Sequence, residues 1–300
     1  MNGLARLIGA ARVYRAFPSL MVILVSAAFA ERVNSKILVL GLCCILIYSA
    51  AAVYNAIRDK DYRLPGCSRR IALLLLLTAM IIAKSDIVIL AASIIAVLLG
   101  FLYNTIARYV LFADATILAI THFALPSFSS SLLLGLDMGM AMRLAVFMFA
   151  AFWPIMHSKN MKDTISDRKR GYRTLAGAGM KGRQATIILF AFSFAPMAAA
   201  YFIFDLGIIF LFFLVLLAFL GLKIVSAMVE GRAGQGVRMI RSAILLFLLG
   251  LVMSKTDYLA VILWALCLYF FYWMSYIILL SLDAMPGNTV EKAAVQDETE

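Results

Sequence analysis

Charge is scarce in this chain. Asp, Glu, Lys and Arg make up only 14% of 300 residues, against about a quarter in a soluble domain. Hydrophobic residues reach 64% and the mean hydropathy is +0.98, which excludes a water-soluble globular class. Histidine occurs twice, at His122 and His157, and the four cysteines (Cys43, Cys44, Cys67, Cys267) show no ligand spacing. Neither set reads as a zinc site, and adjacent thiols in an apolar run act as small core hydrophobes. Alternating apolar and polar residues, the mark of strands, are absent. So is a basic stripe on a polar face, so the net charge of +11 is no nucleic-acid signal. A cleavable leader is not expected, because the first apolar run leads straight into another.

What remains is a series of long apolar segments. A hydrocarbon core of about 30 Å takes about 20 helical residues, and open loops cannot cross it with unpaired peptide groups. The spacing predicts an all-α bundle of nine or ten transmembrane helices around a central cavity. The predicted spans are 17–33, 36–57, 70–84, 86–106, 112–136, 139–160, 184–205, 207–228, 238–254 and 257–282, the third and ninth being short. Residues 1–287 are expected to form one transmembrane domain. The polar, acidic stretch 288–300 is expected to be a disordered cytoplasmic tail. With the N-terminus in the cytoplasm, twenty-two Lys and Arg fall inside, leaving Arg32, Lys36, Lys84, Arg143 and Lys255 outside. That bias predicts a multi-pass protein with its polar inner loops cytoplasmic.

Two of those loops carry acids at matched spacing: Asn55-x-x-x-Asp59 and, 108 residues on, Asp163-x-x-x-Asp167. A spacing of four places both members of a pair on one helical face. Two such faces converging at the membrane surface would form an oxygen cage for a divalent cation and the diphosphate it carries. Asp61 joins this site only if the helix unwinds. Arg168, Lys169, Arg170 and Arg173 follow the second pair, as suits the remaining phosphate oxygens. Gly171 suits a helix C-terminus. The bland alternative is a pair of solvated inner loops obeying the positive-inside bias. His122, four residues before Pro126, is either a functional intramembrane group or a neutral imidazole bonded to a carbonyl that the proline frees.

At these strings the chain resembles the UbiA superfamily of intramembrane prenyltransferases. That family has Asn-Asp-x-x-Asp-x-x-x-Asp after its second helix. After its sixth it has Asp-x-x-x-Asp continuing towards Gly-x-x-Thr-Leu. Here Lys162-Asp163-Thr-Ile-Ser-Asp167 runs on to Gly171-Tyr-Arg-Thr174-Leu175, and Leu102-Tyr103-Asn104…Arg108 matches a Tyr followed by a basic residue. The first string departs: Ala56 and Arg63 stand at two acidic positions, and Ile71 replaces a proline.

The resemblance implies transfer of an isoprenyl group from an isoprenyl diphosphate to a hydrophobic acceptor inside the membrane lipid. Asn55, Asp59, Asp163 and Asp167 would hold Mg²⁺. Arg15, Arg69, Arg108, Lys162 and Arg173 would bind the diphosphate, with Asp61, Tyr103 and His157 as further candidates. Two rivals keep the fold: a UbiA-type terpene cyclase and a degenerate, non-catalytic relative. A transporter would need charges deep in its spans, and these spans are almost clean.

Overall fold

A computed structural model describes residues 3–59, 64–158, 171–173 and 182–281. Asp61, Lys162, Asp163, Asp167 and the tail 288–300 lie outside the described residues, as does the side chain of Asp59. Among the described residues the chain is helical and has no strand.

A short helix α1 (Gly3–Ala11) and a 3₁₀ turn (Val13–Ala16) lead into α2 (Phe17–Ala30). Pro18 at the start of α2 suits a first turn, where its missing N–H has no partner to lose. Then follow α3 (Ser35–Asp59), α4 (Ser68–Ala83) and α5 (Ile87–Thr105). After a 3₁₀ turn (Ala107–Tyr109), α6 (Ala113–Ala119) and α7 (Leu125–Leu133) are joined by a π-helical turn (Ile120–Ala124). The series closes with α8 (Met138–Ser158), α9 (Gly182–Ile203), α10 (Ile208–Val229), α11 (Ala233–Lys255) and α12 (Leu259–Ser281).

Each predicted span coincides with one of these segments. Seven stretches among the described residues are long and apolar enough to cross a bilayer: Leu7–Ala30, Ser35–Arg58, Ile87–Thr105, Ala113–Leu133, Met138–Ser158, Ile208–Val229 and Gly234–Lys255. Ile187–Ile203 and Leu259–Ser275 are shorter apolar helices, and α4 has 16 residues. The ninth segment was expected to be short but runs 23 residues. It begins five residues before the predicted start, at Ala233-Gly234-Gln235-Gly236-Val237, where two glycines and a glutamine carry little apolar signal.

Core and lipid faces differ sharply by helix. α2 and α11 are largely buried, whereas α5 and α10 mostly face outward. Phe123 stacks on Phe152 with centroids 4.0 Å apart, and Phe152 meets Phe247 edge-on at 5.9 Å. Phe247 in turn contacts Phe210 at 5.9 Å. These rings tie the π turn, α8, α11 and α10 into one core. Polar contacts do the same between α2 and α7, where the Ser130 hydroxyl donates to Ser26 Oγ at 2.8 Å. Such bonds hold helices together where water cannot compete.

The bundle has two polar ends. At one, Lys36 pairs with Asp86 at 2.7 Å, Asn34 donates to the Leu133 carbonyl and Lys255 to the Phe204 carbonyl. At the other, Arg12, Arg15, Asn55, Arg58, Arg108 and Tyr172 gather.

Two outcomes follow. Asp86 also caps α5, its carboxylate accepting the Val88 N–H at 2.8 Å, and the bond from Lys36 holds its pKa below the usual aspartate value. A lowered folded pKa stabilises above the ordinary range, near 4, and that increment disappears as pH falls through the folded value. Asp86→Ala should therefore cost about 0.5–2 kcal/mol at neutral pH, with the gap to wild type closing in acid. Detergent melts at pH 7 and pH 3 measure this. At Gly250, an added Cβ would sit 2.8 Å from Phe213 Cβ, so Gly250→Ala should wedge α10 from α11 and cost about 1–3 kcal/mol. An unchanged melting midpoint would refute that packing.

Candidate active site

At the Arg12 end, α2, α3, α5, α6, the π turn and α7 surround a cavity containing about 1020 Å³ of empty space, part of it continuous with its mouth. Its mouth is polar: Arg12, Arg15, Asn55, Tyr103 and Asn104. Its depth is apolar: Leu40, Ile47, Ala92, Leu118, Leu125 and Pro126. Fifteen residues of α3 separate Asn55 from Leu40, about 22 Å of helical rise. The hollow is thus a deep, narrow greasy slot under a cationic rim.

Arg108 organises the rim. It stands on the 3₁₀ turn after α5, its guanidinium between the rings of Tyr103 (5.0 Å to the centroid) and Tyr172 (5.2 Å). Nη2 donates to Asn55 Oδ1 at 2.6 Å, and Nη1 donates to the Tyr172 hydroxyl at 3.4 Å. Arg58 donates to the same hydroxyl at 3.4 Å. The Arg173 N–H donates to the Arg108 carbonyl at 2.8 Å, and Tyr109 meets Tyr172 edge-on at 5.3 Å. The stretch 171–173, just downstream of the second acid string, is therefore docked beside the first. Gly171 turns the chain there with φ of 72°, a left-handed conformation that glycine adopts at no steric cost.

Arg15, partly buried, donates through Nε to the Tyr14 hydroxyl at 3.2 Å, and Arg241 stacks over the Tyr14 ring at 5.7 Å. Of the residues expected at the site, the structure brings Asn55, Arg15, Tyr103 and Arg108 together at the mouth. Arg173 joins through its backbone and its side chain is exposed; Arg69 is exposed at the start of α4. His157 is buried, edge-on to Trp153 (4.8 Å) and Phe112 (5.4 Å), and is not part of the cavity wall. Tyr54 is exposed and Phe152 belongs to the core.

Ala56 stands where the resembled family has an acid, and its place explains the departure. It is fully buried in a small cluster with Ala10, Val53 and Ala72, where α1 packs on α3 and α4. A carboxylate there would be taken out of water among apolar side chains.

Sequence reasoning missed Arg12, Tyr48, Asn104, Asp114 and Tyr172. Arg12 precedes Arg15 by three residues, a spacing that could have signalled a shared face. It takes a left-handed φ of 48° and is buried in the cavity wall. Asp114, buried in the first turn of α6, is an acid at the start of an apolar span, which was signal enough.

His122 neither stands outside the cavity nor uses the carbonyl that Pro126 frees. It lines the wall, with Nδ1 3.1 Å from the Leu118 carbonyl. The carbonyl left without its usual partner by Pro126 is that of His122 itself, and the π turn absorbs the mismatch.

Comparison with known proteins places this arrangement. A UbiA homologue from Aeropyrum pernix K1, without ligand, matches with a TM-score of 0.65 at 17% identity, covering 81% of this chain and 98% of that one. A structure of digeranylgeranylglyceryl phosphate synthase matches at 0.61 and 15% identity, covering 85% and 99%. A UbiA homologue from Archaeoglobus fulgidus, bound to DMAPP and Mg²⁺, matches at 0.53 and 13%, covering 89% and 98%. At such identities the likeness establishes the fold, a polytopic helical membrane bundle. No curated protein sequence matches. The model of the UbiA prenyltransferase family matches residues 68–238, more than half of the chain, and so the chain belongs to that family.

Proposed function

We propose that the protein is a magnesium-dependent intramembrane prenyltransferase. It moves an isoprenyl group from an isoprenyl diphosphate to a lipophilic or aromatic acceptor and releases diphosphate. The observation that carries this reading is the shared Arg108, which binds Asn55 of the first polar string and Tyr172 downstream of the second above one apolar slot. The Archaeoglobus fulgidus homologue that binds DMAPP and Mg²⁺ supports the choice of donor and ion.

The donor set fits magnesium. Asn55, Asp59, Asp163 and Asp167 offer only oxygens, which a hard cation prefers. The Asn55 carbonyl oxygen has two lone pairs, of which Arg108 takes one. Bound there, Mg²⁺ would neutralise the leaving diphosphate and ease cleavage of the allylic C–O bond.

The chain's own groups do the rest. Arg15, Arg108, Lys162 and Arg173, with Arg69 at the approach, bind the phosphate oxygens left over, Arg108 with its planar fork already held between two rings. That fixed orientation lowers the cost of gathering negative charge on the leaving group. The slot beneath houses the isoprenoid tail and keeps water from the allylic cation. Tyr103 presents its ring to Arg108 at the mouth, and aromatic faces attract cations, so it steadies the guanidinium there. The charge bias of the loops sets this mouth on the cytoplasmic side, where soluble diphosphates are supplied.

The test is lipid-phase product analysis from membranes carrying the full chain, given labelled geranyl, farnesyl and geranylgeranyl diphosphate with Mg²⁺. Asp163→Asn and Asp167→Asn should each abolish transfer while leaving the detergent melting point unchanged. Wild-type turnover in both would end the proposal, and cyclic hydrocarbon formed without an acceptor would replace it with a cyclase. Arg108→Ala should lower kcat/KM for the donor by roughly 10²-fold, the scale of losing one positioned donor to developing charge. Arg108→Lys should recover little of it, because an ammonium lacks the fork. Full recovery by Lys would show that only charge matters there.

A further inference from the structure

We propose that His122 is the proton acceptor for the second substrate, and that this substrate presents a hydroxyl group at the His122–Tyr48 level of the cavity. The inference rests on the transferase reading. It goes beyond that reading in naming the chemistry of the acceptor and the group that activates it.

The hydrogen bonds around the ring fix its tautomer. Nδ1 lies 3.1 Å from the Leu118 carbonyl and 3.0 Å from Thr121 Oγ1. A carbonyl only accepts, and Thr121 Oγ1 already directs its hydrogen to the Ile117 carbonyl at 2.8 Å. Nδ1 must therefore carry the proton, which in a neutral imidazole leaves Nε2 as the basic atom. The ring is further set by Tyr48, edge-on at 4.9 Å. A π turn at this point is itself unusual, and such turns concentrate at functional sites.

The depth matches the chemistry. Tyr48 lies seven residues below Asn55 on α3, about 10 Å of helical rise. A metal–oxygen bond of about 2.1 Å, then the diphosphate, then the reacting carbon occupy most of that distance. A hydroxyl in contact with the carbon is left within reach of His122. Among the described residues that line the cavity, His122 is the one imidazole or carboxylate. The neighbouring wall, Cys44, Leu118, Leu125 and Pro126, offers no other base.

The step balances. The C–O bond to the diphosphate breaks and its electron pair leaves with the diphosphate. A lone pair on the acceptor oxygen forms the new O–C bond, and the proton of that hydroxyl passes to Nε2. The resulting imidazolium loses the proton to solvent when product leaves.

Two variants separate this role from a structural one. Asn at 122 keeps an N–H for the Leu118 carbonyl but has no basic nitrogen; Gln places an amide near Nε2 and loses the bond to Leu118. In the membrane assay above, His122→Asn should cut kcat at least 10²-fold, the scale of losing a general base, with donor KM unchanged. His122→Gln should not restore it. A wild-type rate in His122→Asn overturns the proposal while leaving the transferase standing. Failure of the wild-type chain to form any product, or to bind geranylgeranyl thiolodiphosphate with Mg²⁺, overturns the parent reading instead. Because the chain has only two histidines, ¹⁵N-histidine spectra of the detergent-solubilised protein give an independent check. The signal lost in His122→Asn should report a protonated Nδ1 and a bare Nε2 that shifts on adding phenol. A protonated Nε2 at that residue refutes the assignment.

Discussion

One guanidinium joins three polar segments that lie 53 and 64 residues apart in sequence. Arg108 takes its position from the turn after α5, reaches Asn55 near the end of α3, and stacks against Tyr172 from the segment between α8 and α9. Its backbone carbonyl accepts from Arg173 as well. Without that knot, the cavity mouth would be three polar segments fraying into the interface. With it, they become one rim above an apolar slot. A planar cation held by ring faces and a carbonyl oxygen is pre-oriented, so little freedom is lost when an anion arrives.

The rest of the architecture follows from lipid as solvent. Apolar side chains gain nothing by turning inward when their surroundings are as apolar as the core, so α5 and α10 leave Ile, Leu and Phe facing out. Burial is decided by packing instead: small and flat residues on α2, α8 and α11, the Phe123–Phe152–Phe247 series, and the Ser26–Ser130 bond. Close approach of α10 and α11 depends on Gly250 meeting Phe213. Four of the polar groups within the spans, Arg15, Tyr48, Thr121 and His122, line the same cavity. In a bilayer such groups are costly, which is why their convergence carries functional weight.

Much of this was legible in the sequence, because hydropathy against bilayer thickness leaves few options. Each apolar run became helical, and the order of the spans put Asn55 and Arg108 on the same face of the membrane, though not their bond to each other. What sequence could not supply was which helical faces meet. Tyr48 and His122 sit 74 positions apart and become neighbours only through the packing of α3 beside the π turn. His157 looked equally eligible by distance from Asp163, yet its ring turns away into Trp153 and Phe112. Gly234-Gln235-Gly236 at the start of α11 disguised that helix's true length, since glycine and glutamine carry little apolar signal and glycine has low helix propensity.

Ala56 shows how a departure from a family pattern acquires a cause. In α3 it falls on the side turned from the cavity, towards α1 and α4, while Asn55 one residue earlier reaches the rim. Successive helical residues differ by about 100° in direction, so packing α1 onto one face excludes a carboxylate there without disturbing its neighbour. The loss of that acid is therefore bound to the presence of α1, a short amphipathic helix seated on α3. Restoring the acid would not simply add a metal ligand, because it would first have to displace Ala10 and Ala72. In the proposed function, the cation-binding duty of the first string then falls on Asn55 and Asp59. That makes the positioning of Asn55 by Arg108 more consequential here than in a chain with the full complement of acids.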